Sequence, residues 1–184
     1  MTKQHPELLI WQRLAEGDEK AAACWYDSLA PKVHAYVRAI ILDREAARDI
    51  LHDTFLECYR RMKTIMNTKN PTAYLFRIAR NRAIDWMKRA GLERALFDPA
   101  NVQSFFQVRE SSHFSPAERE LQALSQAFAG LPDELRETLA LHFYSGLALR
   151  EIAEVLKITA HQARYRCEKG IEFLREKLHE FQCE

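Results

Sequence analysis

LPDELRETLALHFYSGLALREIAEVLKITAHQARYRCEKGIEFLREKL, residues Leu131 to Leu178, is the stretch that decides the fold of this chain. Leu131-Pro132 puts a proline where the first turn of a helix needs no amide donor. Leu135, Leu139 and Phe143 then recur at the i, i+4 spacing of a buried helical face. Gly146 breaks that helix, and a short one follows with Ile152, Ala153, Val155 and Leu156 facing inward. A tight turn at Lys157-Ile158 leads to Thr159, whose hydroxyl caps the next helix, with Gln162 at capping-box spacing. The last helix carries Gln162, Arg164, Tyr165, Arg166 and Lys169, residue types that reach phosphates and base edges in a major groove. The pattern reads as a DNA-binding helix-turn-helix preceded by one helix. A generic helical hairpin has the same periodicity, so at this level both readings stand.

Composition narrows the class. The chain has 184 residues, room for one compact domain or two small ones. Apolar residues make up 47%, enough for real cores, and only five glycines and six prolines argue for long helices over strands and turns. No run of ~18 apolar residues occurs, so no membrane insertion is expected. The N-terminus lacks a basic-then-apolar signal pattern, and the expected location is the cytoplasm. Cys24, Cys58, Cys167 and Cys183 show no metal-ligand spacing, and Cys58 and Cys167 fall on apolar helical faces. The histidines form no HExxH-type pair, and no nucleotide-binding or nucleophile-elbow motif is present. The expectation is no metal, no cofactor and no enzymatic activity.

The first half reads as a helical bundle. A short helix from Leu8 to Ala15 stops at Gly17, and Asp18 caps a second one carrying Ala22, Trp25, Tyr26 and Leu29. Pro31 opens a third, and Asp43 caps a long fourth with a buried stripe of Ala47, Ile50, Leu51, Phe55, Cys58, Tyr59 and Met62. After Met62 the sequence turns polar up to Thr72, and helical periodicity resumes from Ala73 to Gly91. A net charge of +1 hides segregation: between Arg60 and Arg94 ten Arg and Lys residues face only Asp85 and Glu93, a local balance of +8. Interleaved with Tyr74, Phe76 and Trp86, this block suits a nucleic-acid surface. Residues 93–116 have no sustained period and read as a flexible linker that becomes ordered against a partner, or equally as a loop folded back onto either domain. The fold expected is all-α: two small helical domains, 1–92 and 117–184, joined by that linker.

Two such domains resemble the extracytoplasmic-function (ECF) sigma factors. The likeness covers nearly the whole chain. It rests on Gly17-Asp18, on Asp49-Ile50-Leu51-His52-Asp53-Thr54-Phe55, on the run from Tyr74 to Asp85, and on Leu131-Pro132, Arg136, Gly146-Leu147 and Glu151-Ile152-Ala153. The resemblance implies a sigma region 2 bundle and a sigma region 4 helix-turn-helix, with core RNA polymerase (its β′ clamp helices and β subunit) and promoter DNA as partners. It implies −10 contacts from Lys63, Asn67, Lys69, Arg77, Arg80, Asn81 and Lys88, with the loop from Lys63 to Thr72 capturing a flipped base. It places −35 contacts on Gln162, Arg164, Tyr165, Arg166 and Lys169, and a core-polymerase interface on Arg48, Asp49, His52 and Asp53. The alternative function is a stand-alone helix-turn-helix repressor or activator that binds duplex DNA as a dimer. The basic, aromatic end of the first half favours the sigma reading.

Two departures stand out. Lys157 occupies the turn position where the family usually has glycine, a cost on the order of 1 kcal/mol if that backbone is left-handed. Where family members carry an acidic Asp-Ala-Glu-Asp run for the β′ clamp, this chain has Ala46, Ala47, Arg48 and Asp49, which takes the formal charge from −3 to 0. Control by an anti-sigma factor is one option. Some divergent ECF groups with a reduced acidic run are linked to a Ser/Thr kinase, and phosphorylation would restore negative charge. Thr64 and Thr54 are the candidate acceptors, with Thr64 favoured because it follows Arg60-Arg61-Met62-Lys63 in a polar segment.

Overall fold

A computed structural model of the chain describes residues 6–41, 43–91 and 116–182. The segment read as a linker lies outside these residues except for Pro116. The described residues form helices and turns with no strand. The first half contains α1 (Pro6–Ala15), α2 (Glu19–Ile40), α3 (Arg44–Arg60), the single turn α4 (Met62–Ile65) and α5 (Pro71–Arg89). The second contains α6 (Pro116–Ala129), α7 (Asp133–Ser145), α8 (Leu149–Leu156) and α9 (Ala160–Gln182).

Capping chemistry sets the helix starts. Asp18 accepts from the amides of Ala21 and Lys20 at 3.1 and 2.9 Å, and Arg13 braces it from α1; the Ala21 bond first, then Arg13, lower its carboxyl from the ordinary value. Asp43 does the same for α3, accepting from Glu45 and Ala46. Asn70 caps α5 by accepting from the Ala73 amide at 2.9 Å, with Pro71 just inside. One expected boundary is absent: α2 runs straight through Pro31. Proline there has no N–H to give the carbonyl four residues back. Its ring is exposed, while Leu29 and Ala30 before it and Val33, Tyr36 and Val37 after it are all buried. Packing of that common face keeps both halves in one rod.

The large core gathers Trp11, Trp25, Val33, Tyr36, Phe55, Leu75 and Phe76, among others, from α1, α2, α3 and α5. Trp25 lies edge-on to both Trp11 (5.3 Å) and Phe55 (4.7 Å), the offset geometry that aromatic quadrupoles favour. A smaller core in the second half holds Ala127, Leu131, Leu139, Cys167 and Leu174. α7 belongs to both. Leu139 points into the small core, whereas Ala140 and Leu141 join the large one together with Leu147, Ile152, Val155 and Leu156. α7 therefore lies against α2, and α8 against α5. Phe143, expected to be buried, is 59% exposed, because it sits one turn past Leu139, the last residue α7 gives to the small core.

Gly170 and Arg136 tie the second half together. A Cβ on Gly170 would lie 2.6 Å from Leu139 Cδ1, so the glycine permits the close approach of α9 to α7. Arg136 is buried and donates to the Ala129 carbonyl at the end of α6 and to the Asp133 carboxylate, at 3.0 and 3.1 Å. One guanidinium thus satisfies a helix C-terminus and a helix N-terminus at once.

Candidate nucleic-acid interface

The turn into α9 has the geometry its sequence implies. Lys157 adopts φ 58°, ψ 44°, the left-handed region, and the Ile158 amide donates back to the Ala153 carbonyl. Thr159 Oγ1 accepts from the Gln162 amide at 3.1 Å, and Gln162 Oε1 accepts from the Thr159 amide at 2.9 Å, a complete capping box. The Gln162 amide oxygen is thereby engaged within the helix end. Arg164, Tyr165 and Lys169 are exposed on the outer face, Lys169 within 2.5 Å of Glu172. Arg166 differs from expectation. It forms an ion pair with Glu134 of α7 at 2.6 Å and is largely covered. It lies beside the inward row of Ala163, Cys167 and Gly170, so it braces α9 against α7.

On the first half, Lys63, Asn67, Lys69, Asn81 and Lys88 are exposed. Asn67 folds back to donate to the Lys63 carbonyl at 3.1 Å. Arg77 stacks over the Tyr74 ring at 4.4 Å, a guanidinium-on-aromatic platform that suits an unpaired base. Along α5, Tyr74, Arg77, Asn81 and Lys88 share one face at helical spacing. The other aromatics of the basic block do not: Phe76 is fully buried, and Trp86 packs against the core. Arg82 is held by Glu57 and Asp53 of α3 at 3.2 and 3.6 Å. Arg80 is taken by Glu137 of α7 at 2.8 Å.

A third surface lies on α3, where Arg48, Asp49, His52 and Asp53 are all exposed on one side. Leu56 and Tyr59 are exposed on the same side, 41% and 57%. The sequence reading placed Tyr59 in the buried stripe. The signal against that was its position seven residues after His52, on the same helix face. Ala46 and Ala47 are buried, so the first two positions of the substituted acidic run lie under the surface. Of the two threonines, Thr54 is fully buried and donates to the Ile50 carbonyl at 2.6 Å. A kinase has no access to that hydroxyl, which removes Thr54 as an acceptor. Thr64 is exposed, within the single turn of α4 and not in an extended loop.

The chain is similar to several known proteins. Residues 25–93, which include α3, α4 and α5, match the family model Sigma-70 region 2. The chain is 26% identical over 170 residues to the ECF RNA polymerase sigma factor SigK of Mycobacterium ulcerans, spanning 90% of each chain. It is 26% identical over 134 residues to the ECF RNA polymerase sigma factor SigM of Bacillus subtilis, spanning 73% of this chain and 80% of that one. In fold it is similar to CnrH, solved in complex with the cytosolic domain of CnrY, at TM-score 0.63 and 18% identity over 94% of this chain and 96% of that one. It is also similar to the sigma factor RpoE from Bartonella quintana, solved with the anti-sigma factor NepR, at TM-score 0.66 and 22% identity over 87% and 98% of the two chains.

Proposed function

We propose that the chain is an ECF RNA polymerase sigma factor, the kind of protein its relatives are, and that its surfaces divide the work of promoter-directed transcription initiation. The α3 face docks on core polymerase at the β′ clamp helices. The segment from Lys63 to Asn70 and the outer face of α5 hold the −10 strand, and α9 docks on the −35 element. The observation that carries this reading is the outer face of α5, where Arg77 stacked on Tyr74 lies in line with Asn81 and Lys88. Stacking plus phosphate contact is what favours unpaired over paired DNA. A duplex-binding repressor has no use for such a platform. The test is transcription from a supercoiled promoter by core polymerase loaded with this chain. Tyr74→Ala should leave core binding unchanged and reduce strand opening, read by permanganate footprinting. Normal opening would move the −10 surface elsewhere.

The core-docking face sets a second expectation. With Ala46 and Ala47 buried, Arg48 is the position where charge alone can be restored. Arg48→Glu should tighten core binding several-fold at low salt, with the gain fading as salt rises. Leu56 and Tyr59 supply apolar contact there, and Tyr59→Ala should weaken docking. Equal affinities in a fluorescence titration would exclude this face.

Control is assigned to Thr64. Its hydroxyl is exposed directly after Arg60, Arg61 and Lys63, and α4 is a single turn, which a kinase unwinds at little cost. Phosphate adds about −1.5 to −2 charges to a first half depleted of acid. Thr64→Glu should raise core binding, and Thr64→Ala should abolish the response to the activating signal. A Thr64→Ala protein that still responds points instead to release from an anti-sigma partner.

A further inference from the structure

We propose that the cleft between the start of α5 and the turn from α7 into α8 is a binding site for a free α-amino acid with an apolar side chain. The cleft has a volume of about 430 Å³, within the range that encloses a small ligand. Trp11 and Pro71 line it from the first half and Leu147 from the second, which gives it apolar walls. Its polar groups are of two kinds, and the two kinds come from different halves.

On the side of the first half the groups are donors. Asn70 caps α5 by accepting from the Ala73 amide, and Pro71 has no amide to offer, so the Thr72 amide is the first-turn donor left over. The Thr72 side chain is 6% exposed, lines the cleft, and has no hydrogen-bond partner among the described residues. A hydroxyl that far out of water is normally bonded, and the cleft is the open space it borders. Lys69 lines the same wall, exposed and without an ion-pair partner among the described residues. An amide, a hydroxyl and an ammonium at the positive end of a 19-residue helix suit a carboxylate.

On the side of the second half the groups are acceptors. α7 ends at Ser145, and Gly146 turns the chain away at φ 72°, so the last carbonyls of α7 have no helical partners. The Ser145 hydroxyl is already satisfied, donating to the Leu141 carbonyl and accepting from the Leu147 amide. Glu151 lines this wall and pairs with no cation among the described residues. Its two oxygens accept from the Asn70 side-chain amide at 2.6 Å and the Ala148 amide at 2.8 Å, and each keeps a further lone pair. A carboxylate beside the negative end of a helix suits an ammonium.

Lys69 and Glu151 thus line one cleft with opposite charges and do not pair with each other. A simple anion would satisfy Lys69 and be repelled by Glu151, and a simple cation would meet the converse. A zwitterion satisfies both. The two charged groups of an α-amino acid share one carbon, so the walls that hold them must adjoin. Asn70 makes them adjoin, capping α5 with its oxygen and reaching Glu151 with its nitrogen. The ligand's side chain is then left against Trp11, Pro71 and Leu147.

The experiment is isothermal titration calorimetry of the full chain with free leucine and free phenylalanine. Isocaproate, which lacks the amine, isoamylamine, which lacks the carboxylate, and inorganic phosphate are titrated beside them. Saturable binding is expected for at least one of the amino acids, about tenfold tighter than for any of the three controls. Thr72→Val keeps the shape and removes the hydroxyl. It should weaken that binding about fivefold or more without lowering the thermal midpoint of the ligand-free chain. Absence of binding by both amino acids overturns the site. Isocaproate or phosphate binding as tightly as the amino acid overturns the zwitterion, because one charge then suffices. A lowered midpoint for ligand-free Thr72→Val shows that the hydroxyl serves the fold, which overturns its assignment to a ligand. None of these measurements uses polymerase or DNA, so failure of the transcription reading is a separate result.

Discussion

Lys157 is the one non-glycine residue with positive φ among the described residues, and its side chain is exposed. Lys157→Gly should therefore raise stability by about 1 kcal/mol, seen as a higher urea midpoint at unchanged slope. The strain was legible in the sequence because a helix-turn-helix turn fixes where that backbone must fall. Arg136 was legible only as a resemblance, since no local pattern announces that its guanidinium reaches Ala129. Arg136→Ala should cost about 2–4 kcal/mol, because it leaves a buried carbonyl and the Asp133 carboxylate without their donor. A loss within ~0.5 kcal/mol would show that water replaces the guanidinium. Thiol chemistry separates in the same manner. Cys24 is exposed and should react with a thiol reagent in the native state, whereas burial pushes the Cys58 thiol up to about 12 and should keep it silent until unfolding.

α9 shows how far periodicity reads an element. Its cap, its inward row and its outward Arg164 and Tyr165 all follow from spacing. Arg166 does not, because a residue at the boundary of two faces is assigned by whichever neighbour offers a partner, here Glu134. Arg164→Ala should weaken binding to a −35 duplex by about 1–3 kcal/mol if it reads a base, and leave the thermal midpoint unchanged. Arg166→Ala should do the reverse. Gly170 lowers the helix propensity of α9, yet it is where α9 touches Leu139. Gly170→Ala gains helix propensity but drives a Cβ into a fully buried leucine, so a net loss of about 1–2 kcal/mol is expected by denaturant titration. The same limit explains α2 and α3. The punctuation of Pro31 and the stripe that included Tyr59 were both local inferences, and tertiary packing reversed each.

At the scale of the whole molecule, sequence separated the chain into halves by composition, and the fold joins them through a helix that serves two cores. No sequence pattern marks α7 as two-sided, since residues Leu139, Ala140 and Leu141 are consecutive and read as one apolar run. Leu141→Ala should cost about 2–5 kcal/mol and move any transition that reports on the first half as well as the second. Two independent transitions in calorimetry, with only one shifted by Leu141→Ala, would show that the halves melt separately. The two-sided helix also has a consequence for how the protein is made. When α5 leaves the ribosome, with α2 already out, roughly fifty residues remain before Ala140 and Leu141, a delay of about 3–10 s at ~5–20 residues per second. Throughout that interval the nascent first half carries an uncovered apolar seam along α2, which makes it a client for whatever holds emerging chains apart and sets the moment when α7 arrives as the end of that exposure.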